Sequence, residues 1–458
     1  MKMKLLFASG LFVLTANLMS AQYLKTEAFP NTLGISNQGI VVGYDAQTGP
    51  WLTWNPDTGN VENIGGIAPG NGYGGVSVFS DDGKYISGTV SNGTGDGTIA
   101  EMGRYNTITK EWQHLGSSGI GSDPKSLSSG YYISGDGKTV VGLSYNSNGN
   151  KKAVGYAWNE NKGAIELEST LVDRNARANV VSGNGAIIAG WQDIGGPWKS
   201  SVWKRKADGT YDKNIMLLIN PNGNPNDQMN QLAEVRAISA DGKWLGGKSD
   251  FAFPNAWIWS EETGVKDLGT LTTDVGTNAW VTALNNDGSI VIGYHITKAS
   301  PWDPAVYRPF IWTQKDGMKD LNDFVNNTLG YDMGGDKIYV PNMISQNGKY
   351  ITGWAFPANT ADKLRAFRIE LPDSFLATAQ MPKAQNQIKV YPNPAVDFFQ
   401  IESKENIQEV KIYDQTGQLI NVSKTAADTY NVSALPKGVY IISVKTASAT
   451  KTSKLIKK

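Results

Sequence analysis

Between residues 30 and 370 the chain alternates short apolar segments with short polar turns, and one unit of this alternation recurs seven times. Each unit has an apolar segment, a Ser or Asn, a short polar pair and a Gly, and then a second apolar segment that ends in its own Gly. Asp-Gly or Asn-Gly between two apolar segments is the strongest short signal of a β-hairpin, because glycine accepts a positive φ. The seven turn glycines are Gly39, Gly83, Gly137, Gly185, Gly242, Gly288 and Gly348, at spacings of 44, 54, 48, 57, 46 and 60 residues.

Each hairpin is followed by a third apolar segment that carries an aromatic residue, and in several units by a fourth segment. The aromatic residues are Trp54, Tyr105, Trp158, Trp203, Trp259, Trp312 and Phe367. The fourth segment is clearest at residues 265–269 and 318–321. A four-stranded sheet cannot bury both faces alone, whereas sheets packed around one axis bury one another's faces. The pattern, with a period of about 50 residues, therefore predicts an all-β fold, a seven-bladed β-propeller over residues 22–375.

The seventh unit has no fourth segment, because the chain runs from residues 366–369 towards a polar stretch. Residues 23–28 precede the first hairpin and have no other partner in the pattern. We expect them to supply the missing strand and to close the ring, since an open edge strand invites aggregation.

A second unit follows the propeller. Residues 376–387 are small, polar and without periodicity, which is typical of a linker. Residues 388–458 alternate apolar and polar positions between turn signals at residues 414–417 and 436–438, which predicts a small C-terminal β-sandwich. This segment resembles the type A sorting domain of the Bacteroidetes type IX secretion system. The residues that carry the resemblance are Tyr391, Pro392, Asn393, Pro394, Gly417, Gly438 and the terminal residues 454–458.

The resemblance implies export through the outer membrane with the type IX machinery as partner, and a secreted or surface-attached location. The other end of the chain agrees with export. Residues 1–21 have a basic start, an apolar run and small residues at their end, the pattern of a secretory signal peptide. The run is too short to cross the bilayer as a helix, and we expect no transmembrane segment in the mature chain.

The repeats resemble the HAF-type extracellular repeat, which has a Ser-x-Asp-Gly hairpin and strands of the types Val-x-Gly-Tyr, Ala-Phe-x-Trp and Gly-Met-x-Asp-Leu. The sixth copy matches best, with residues 286–288, 291–294, 309–312 and 317–321. It departs from the pattern at Asn285, where Ser is usual, and at Pro309, where Ala is usual. The resemblance implies a propeller fold and an extracellular location, and it implies no activity.

Composition excludes several classes of function. The chain has 458 residues with 42 basic and 42 acidic side chains, so it lacks the basic excess of a nucleic-acid binder. It has no cysteine and two histidines, which excludes disulfides, thiolate metal sites and multi-His centres. Residues 220–227 are rich in oxygen-bearing side chains but lack the spacing of an EF-hand calcium loop. We therefore predict no metal site and no cofactor.

Loop length points to one end of the propeller as the functional end. The turns between first and second strands and between third and fourth strands are short, whereas the remaining connections, such as residues 193–200, 219–233, 296–307 and 326–337, are long. Function tends to lie on such loops. Aromatic side chains beside carboxylates suit a sugar ring, so the candidate ligand-binding residues are Trp191, Asp193, Trp198, His295, Trp302 and Asp303. The alternative is that these side chains only pack the loops against the rim.

Three functions stay open. The first is a secreted or surface-attached binding module with a glycan or a protein as ligand. The second is a polysaccharide hydrolase or lyase that uses a pair of loop carboxylates, for which the candidates are Asp193, Asp227, Asp250, Asp274, Asp303 and Asp336. The third is a structural surface protein. The acids of the tight turns, Asp82, Asp136, Asp241 and Asp287, are expected to stabilise the turns instead.

Overall fold

A computed structural model describes residues 22–379 and 389–458, apart from short gaps at residues 47–48, 69–74, 93–98, 196–197, 213–217, 220–223, 225–226, 228–229, 251–252, 272–277, 299–303, 358–362, 404–405, 416, 427 and 447–449. The predicted signal peptide lies outside the described residues. The chain divides into two compact units between residues 381 and 382. The first unit contains seven antiparallel sheets and the second contains two.

The seven sheets of the first unit are the blades of a β-propeller, and successive strands of each blade run from the axis outwards. Blades 1 and 2 comprise β2 (Asn31–Ile35), β3 (Val41–Tyr44), β4 (Trp51–Asn55) and β5 (Asn60–Gly65), then β6 (Tyr85–Ser91), β7 (Ala100–Asn106) and β8 (Glu111–His114). Blades 3 and 4 comprise β9 (Ser128–Ile133), β10 (Thr139–Tyr145), β11 (Ala153–Asn159) and β12 (Gly163–Glu166), then β13 (Ala176–Val181), β14 (Ile187–Asp193) and β15 (Trp198–Lys204).

Blades 5 and 6 comprise β16 (Val235–Ile238), β17 (Leu245–Gly247), β18 (Ala256–Ser260) and β19 (Gly264–Gly269), then β20 (Asn278–Leu284), β21 (Ile290–Thr297), β22 (Val306–Thr313) and β23 (Gly317–Asp320). Blade 7 comprises β24 (Lys337–Ile344), β25 (Tyr350–Phe356), β26 (Arg365–Glu370) and β1 (Tyr23–Thr26). Short helical segments lie at α1 (Leu321–Asp323), a π-helical turn (Phe324–Thr328) and α2 (Asp373–Ala379).

The N-terminal strand closes the ring as the sequence predicts. Strand β1 pairs antiparallel with β26, with Tyr23 opposite Ile369 and Thr26 opposite Ala366. First strands of neighbouring blades also meet around the axis, including those of blades 7 and 1, where Asn342 Nδ2 donates to the Thr32 carbonyl at 2.5 Å. The ring therefore has no unpaired blade at the junction between the chain's first and last propeller strands.

Both glycines of each repeat are required by the backbone. The seven turn glycines have φ between 70° and 79°, a region that other residues rarely adopt. In six blades the second-strand glycine lies where the first strand bulges towards it, whereas in blade 2 the rings of Trp112 and Trp51 lie against Gly88. In blade 3, for example, a methyl group at Gly142 would overlap the carbonyl oxygen of Ser129. The acids of the tight turns also act as expected, since Asp136 accepts bonds from Ser134 Oγ and Lys138 N at 2.6 and 3.0 Å.

Three details differ from the sequence expectations. In blade 7 the register assigns Ile369, and not Phe367, to the position of the third-strand aromatic, because Ile369 pairs with Ile351 as Trp312 pairs with Val291. Phe367 lies two residues earlier on β26, opposite Gly353. Among the described residues, blades 2 and 4 have three full strands each, with single bridges, Phe79–Ile86 and Arg205–Tyr211, at the remaining positions. The first residues of the predicted linker belong to α2.

The second unit is a sandwich of two four-stranded sheets. One sheet comprises β27 (Lys389–Tyr391), β28 (Phe398–Glu402), β32 (Thr429–Asn431) and β31 (Ser423–Ala426); the other comprises β30 (Leu419–Ile420), β29 (Glu409–Tyr413), β33 (Gly438–Lys445) and β34 (Thr450–Lys457). Their inner faces share a core that includes Phe399, Ile442 and Leu455, each fully buried. Asn393 fixes the start of the unit to β34, because it donates to the Lys454 carbonyl at 2.6 Å and accepts from Ile456 N at 2.9 Å.

Candidate functional site

One position of the repeat forms the wall of the axial channel. It lies six residues before the turn glycine, as Tyr131 precedes Gly137. In six blades the register skips this residue, which marks a β-bulge in the first strand. A bulge leaves the extra residue unpaired and redirects its side chain. The bulged residues are Leu33, Tyr131, Asn179, Arg236, Thr282 and Asn342, and all six line one cavity of about 130 Å³.

The channel ends are not equivalent. The short turns between first and second strands and between third and fourth strands lie at one end, which we call the turn end. The remaining connections lie at the other, which we call the long-loop end. At the turn side of the cavity the buried Tyr132 reaches across the ring from blade 3 to blade 7, where its hydroxyl accepts from Gln346 Nε2 at 3.1 Å. The cavity is therefore narrowed towards the turn end.

Two arginines and one glutamate form the polar wall of the cavity. Arg177 donates from Nε to Asn179 Oδ1 at 2.6 Å and from Nη1 to the Tyr131 hydroxyl at 3.2 Å. Its Nη2 lies 3.7 Å from Glu234 Oε2, and Arg236 Nε lies 3.4 Å from the same oxygen. The wall thus carries two guanidinium groups against one buried carboxylate.

A row of aromatic side chains continues from this wall across blades 6 and 7 at the long-loop end. The row consists of Trp280, Tyr294, Tyr307, Tyr339, Trp354 and Phe356, with neighbouring ring centroids between 4.2 and 6.2 Å apart. Cations lie at its start, because Arg236 Cζ is 4.5 Å and Lys248 Nζ is 4.7 Å from the Trp280 ring. Every side chain of the row is partly exposed. We call this set the aromatic row.

Three of the predicted site residues lie together on blade 4. Trp191 and Trp198 stack in parallel with centroids 3.9 Å apart, and Trp198 is 47% exposed whereas Trp191 is 5% exposed. Arg177 connects this pair to the cavity, since its Cζ lies 5.4 Å from the Trp191 ring and 4.3 Å from the Tyr131 ring. Asp193 follows at the end of β14, where it accepts from Gly195 N and lies 3.8 Å from Arg174.

The other predicted site residues are placed differently. His295 is fully buried beneath the aromatic row, with its ring centroid 5.3 Å from that of Phe310. Burial lowers its pKa to about 4, so the imidazole is neutral at pH 7. Trp302 and Asp303 lie outside the described residues, and so does Asp274.

The described loop carboxylates are engaged by neighbouring groups. Asp336 is buried between Lys25 and Arg365, at 3.1 Å from each. Asp250 lies 2.6 Å from the buried Lys199 ammonium, and Asp227 accepts from Asn230 Nδ2 at 3.0 Å. Within the described residues no group of three His, Cys, Asp or Glu side chains is arranged to hold a metal ion.

Sequence reasoning named no residue of the channel wall or of the aromatic row as a site residue. The site prediction was based on the long connections between strands, whereas these side chains lie on the strands themselves, near their long-loop ends. A signal was present: aligning the seven repeats on their turn glycines places the bulged residues in one column. That column holds arginine, tyrosine, asparagine and threonine in five of seven copies beside the apolar Leu33 and the buried Ser77, which is unusual for a first strand packed against neighbouring blades.

Comparison with known proteins bears on the second unit. Residues 389–458 match the family described as "Secretion system C-terminal sorting domain". The predicted resemblance of the C-terminal segment is therefore confirmed, and the chain is a β-propeller protein exported by type IX secretion to the cell surface or the medium. None of the helices in the described parts of the chain has the length and apolar character needed to cross a membrane.

Several solved structures have a chain path similar to that of this protein. The β-propeller domain of the Trilobed protease from Pyrococcus furiosus has 12% identity and a TM-score of 0.45, over 76% of this chain and 96% of that one. An oligogalacturonate lyase from Vibrio parahaemolyticus has 11% identity and a TM-score of 0.45, over 77% and 92%. Prolyl oligopeptidase B from Galerina marginata has 11% identity and a TM-score of 0.45, over 94% and 56%. Comparison with curated proteins found no match.

Proposed function

We propose that the propeller is a binding module that recognises a glycan at its long-loop end. The observation that carries the proposal is the aromatic row, six contiguous and partly exposed rings that begin at the axial cavity. Trp and Tyr combine a large apolar face with a polar edge, which suits the apolar face and the hydroxyl groups of a sugar ring. An extended row of such rings suits several sugar units in sequence.

The pair Trp191 and Trp198 extends the same surface on blade 4. One face of the Trp198 ring is covered by Trp191, while nearly half of the side chain remains exposed. A stacked and prepositioned ring loses little conformational freedom when a ligand packs on it. We therefore include Trp198 among the residues that contact the glycan, and we assign Trp191 to its support.

The state of the carboxylates supports binding over hydrolysis. A glycosidase needs one protonated and one ionised carboxyl group on either side of the scissile bond. Asp336 and Asp250 are each held in ion pairs with buried or half-buried cations, and Glu234 faces two guanidinium groups. These contacts occupy the carboxyl groups with cations of the fold, whereas a glycosidase presents both of its carboxyl groups to the substrate.

A glycan array on the purified full-length protein, followed by calorimetry with the best oligosaccharide, tests the proposal. We expect Trp198→Ala and Tyr307→Ala each to weaken binding about tenfold, the effect of losing one aromatic stacking contact of about 1.4 kcal/mol. The matched control is Ile108→Ala, which removes an apolar side chain that is 72% exposed at the turn end and should bind like the wild type.

Three outcomes would overturn the proposal. If no glycan binds, or if the aromatic variants bind as well as the control, the row is not a glycan surface and a protein ligand becomes the better hypothesis. If the bound oligosaccharide is shortened during a long incubation, the protein is an enzyme and the binding-only function is wrong. Recovery of the intact oligosaccharide supports the proposal.

A further inference from the structure

The axial cavity has a cationic wall. The charged side chains that line it are Arg177 and Arg236, and the buried Glu234 lies behind them within 3.7 Å of both. One carboxylate cannot neutralise two guanidinium groups, so the wall keeps a net positive charge. Lys248 adds a further cation on the Trp280 ring, next to Arg236.

Arg236 has donor capacity to spare. Its guanidinium packs on Trp280 and lies 3.4 Å from Glu234, yet its buried Nε donates no hydrogen bond within the described part of the chain. The side chain as a whole is 36% exposed, so its outer nitrogens are accessible. A guanidinium offers five N–H groups in a planar fork that matches a carboxylate or a sulfate.

Tyr131 supplies a neutral donor to the same space. Its hydroxyl accepts a hydrogen bond from Arg177 Nη1 at 3.2 Å, which leaves the phenolic hydrogen to donate to another group. The Arg177 guanidinium also covers the Tyr131 ring, with Cζ 4.3 Å from the centroid. Donors from blades 3, 4 and 5 therefore converge on one side of the cavity.

Size restricts what the cavity can hold. Its volume of about 130 Å³ is well below the roughly 300–1,000 Å³ of clefts that hold drug-sized ligands, which suits one acidic substituent and not a run of sugars. The bond between Tyr132 and Gln346 narrows the turn side, whereas the aromatic row begins at Trp280 beside Arg236. A group in the cavity would therefore be attached to a ligand that lies along the row.

We infer that the axial cavity binds a carboxylate or sulfate substituent of the glycan, with Arg236 as the main contact and with Arg177 and Tyr131 beside it, so that the protein selects acidic glycans. The inference rests on the proposed glycan function. It adds that the axial cavity binds one acidic group while the sugar rings stack on the aromatic row.

Calorimetry tests the inference with three oligosaccharides of equal length, one of uronic acids, one sulfated and one neutral, and with inorganic sulfate alone. We expect the wild type to prefer one of the acidic ligands. Arg236→Gln should weaken the binding of that ligand by about 10-fold to 100-fold, the range for a lost hydrogen bond between charged groups. Neutral binding should stay unchanged. Arg236→Lys should recover part of the affinity. Raised salt should weaken the binding of the acidic ligand by the wild type more than its binding by Arg236→Gln.

The control and the outcomes separate the two proposals. Arg308→Gln removes an exposed cation of β22 at the same end of the propeller and should bind like the wild type. If Arg236→Gln binds acidic glycans as well as the wild type while Tyr307→Ala does not, the acidic-group inference is wrong and the glycan function stands. If no oligosaccharide binds but sulfate binds in an Arg236-dependent way, the anion site stands and the glycan function is wrong. Equal weakening of neutral and acidic ligands by Arg236→Gln also contradicts the inference.

Discussion

Two glycines in each repeat serve different purposes at the residue scale. The turn glycine supplies a positive φ in all seven repeats, and in six of them the second-strand glycine leaves room for the carbonyl oxygen that the bulge displaces. In those six blades the bulge in turn directs one side chain towards the axis. The channel wall, including Arg236 and Tyr131, therefore depends on a glycine in the neighbouring strand.

Gly142→Ala should destabilise the propeller strongly. The added methyl group would overlap the Ser129 carbonyl oxygen, and a backbone atom cannot move aside as a side-chain end can. We expect a loss of about 3 kcal/mol in the free energy of unfolding, at the upper end for overpacking, measured by urea denaturation. The control is Gly155→Ala on the adjacent strand, where the nearest atoms belong to the flexible Leu167 side chain at 3.2 Å. Equal stabilities of the two variants would contradict the role given to the bulge.

His295 should make the propeller sensitive to mild acid. Burial lowers its folded-state pKa to about 4, below the unfolded value of 6.5. Between these values the unfolded chain binds the extra proton, so stability falls as the pH falls through this window. We expect this group to cost about 2 kcal/mol between pH 7 and pH 5. His295→Leu should remove that part of the pH dependence in paired denaturation curves, and an unchanged difference between the two pH values would exclude His295 as its source.

The turn residues could be predicted from sequence because their requirement is local. A positive φ and a side-chain cap depend on four or five neighbouring residues, and the Asp-Gly pattern records both. The site residues could not be found in this way. Arg177, Glu234 and Trp280 acquire their neighbours only when separate blades meet. The loop-based prediction named the exposed Trp198, whose binding role stays a prediction, together with His295, which is fully buried.

At the scale of the element, strand β1 holds the ring closed by side chains as well as by its backbone. Lys25 of β1 and Arg365 of β26 both pair with Asp336, which precedes β24, and the Tyr23 hydroxyl donates to it at 3.3 Å. One buried carboxylate thus connects three strands of blade 7. Burial, with the Asp336 charge second, raises the pKa of Tyr23, which keeps its hydroxyl protonated as the donor.

Asp336→Asn should weaken this closure. The substitution keeps the shape of the side chain but removes the charge that faces Lys25 and Arg365, and breaking a buried pair costs about 3–5 kcal/mol. We expect the loss near the lower bound, because Lys25 is about one-third exposed. Asp373→Asn is the control, because that side chain is 89% exposed and its ion pair with Lys349 is long, at 3.8 Å. Closure by Asp336 would be contradicted if thermal unfolding gave both variants the same melting temperature.

The number and order of the blades followed from the sequence, and the irregular elements did not. Seven hairpin signals gave seven blades, and the missing fourth strand correctly indicated closure by residues 23–26. The first strand of blade 2 shortens to one bridge, and side-chain hydroxyls take part in its pairing. Ser77 Oγ donates to the Ser87 carbonyl and Val78 N donates to Ser87 Oγ, beside the backbone bond from Ser87 N to the Val78 carbonyl. Such competition between side chains and backbone leaves no periodic pattern to detect.

At the scale of the whole molecule, export and the proposed glycan recognition belong to different units. The sorting domain match covers residues 389–458, and the aromatic row and cavity lie in the propeller. The sorting motif residues have structural contacts of their own: Asn393 bonds to β34, and Gly417 closes the turn after β29 with a bond to the Asp414 carbonyl.

Deletion of residues 389–458 should abolish export without unfolding the propeller. We expect the truncated protein to accumulate in the periplasm. Immunoblotting of periplasmic and extracellular fractions of the secreting bacterium measures this. Asn393→Ala should reduce export, because it removes both bonds to β34. Lys424→Ala, which alters a half-exposed ion pair outside the motif, is the control. Normal secretion of the truncated protein would contradict the role of this domain.

We expect the propeller to bind its ligand only at the long-loop end, between the axial cavity and the aromatic row. Hydrogen–deuterium exchange of the full-length protein, with and without its best oligosaccharide, measures this most directly. We predict slower exchange on ligand binding at residues 176–180, 234–237, 278–282 and 337–342, and no change in the turns at residues 81–83, 135–137 and 286–288. Protection of those turns, or protection confined to the outer strands of the blades, would contradict the claim.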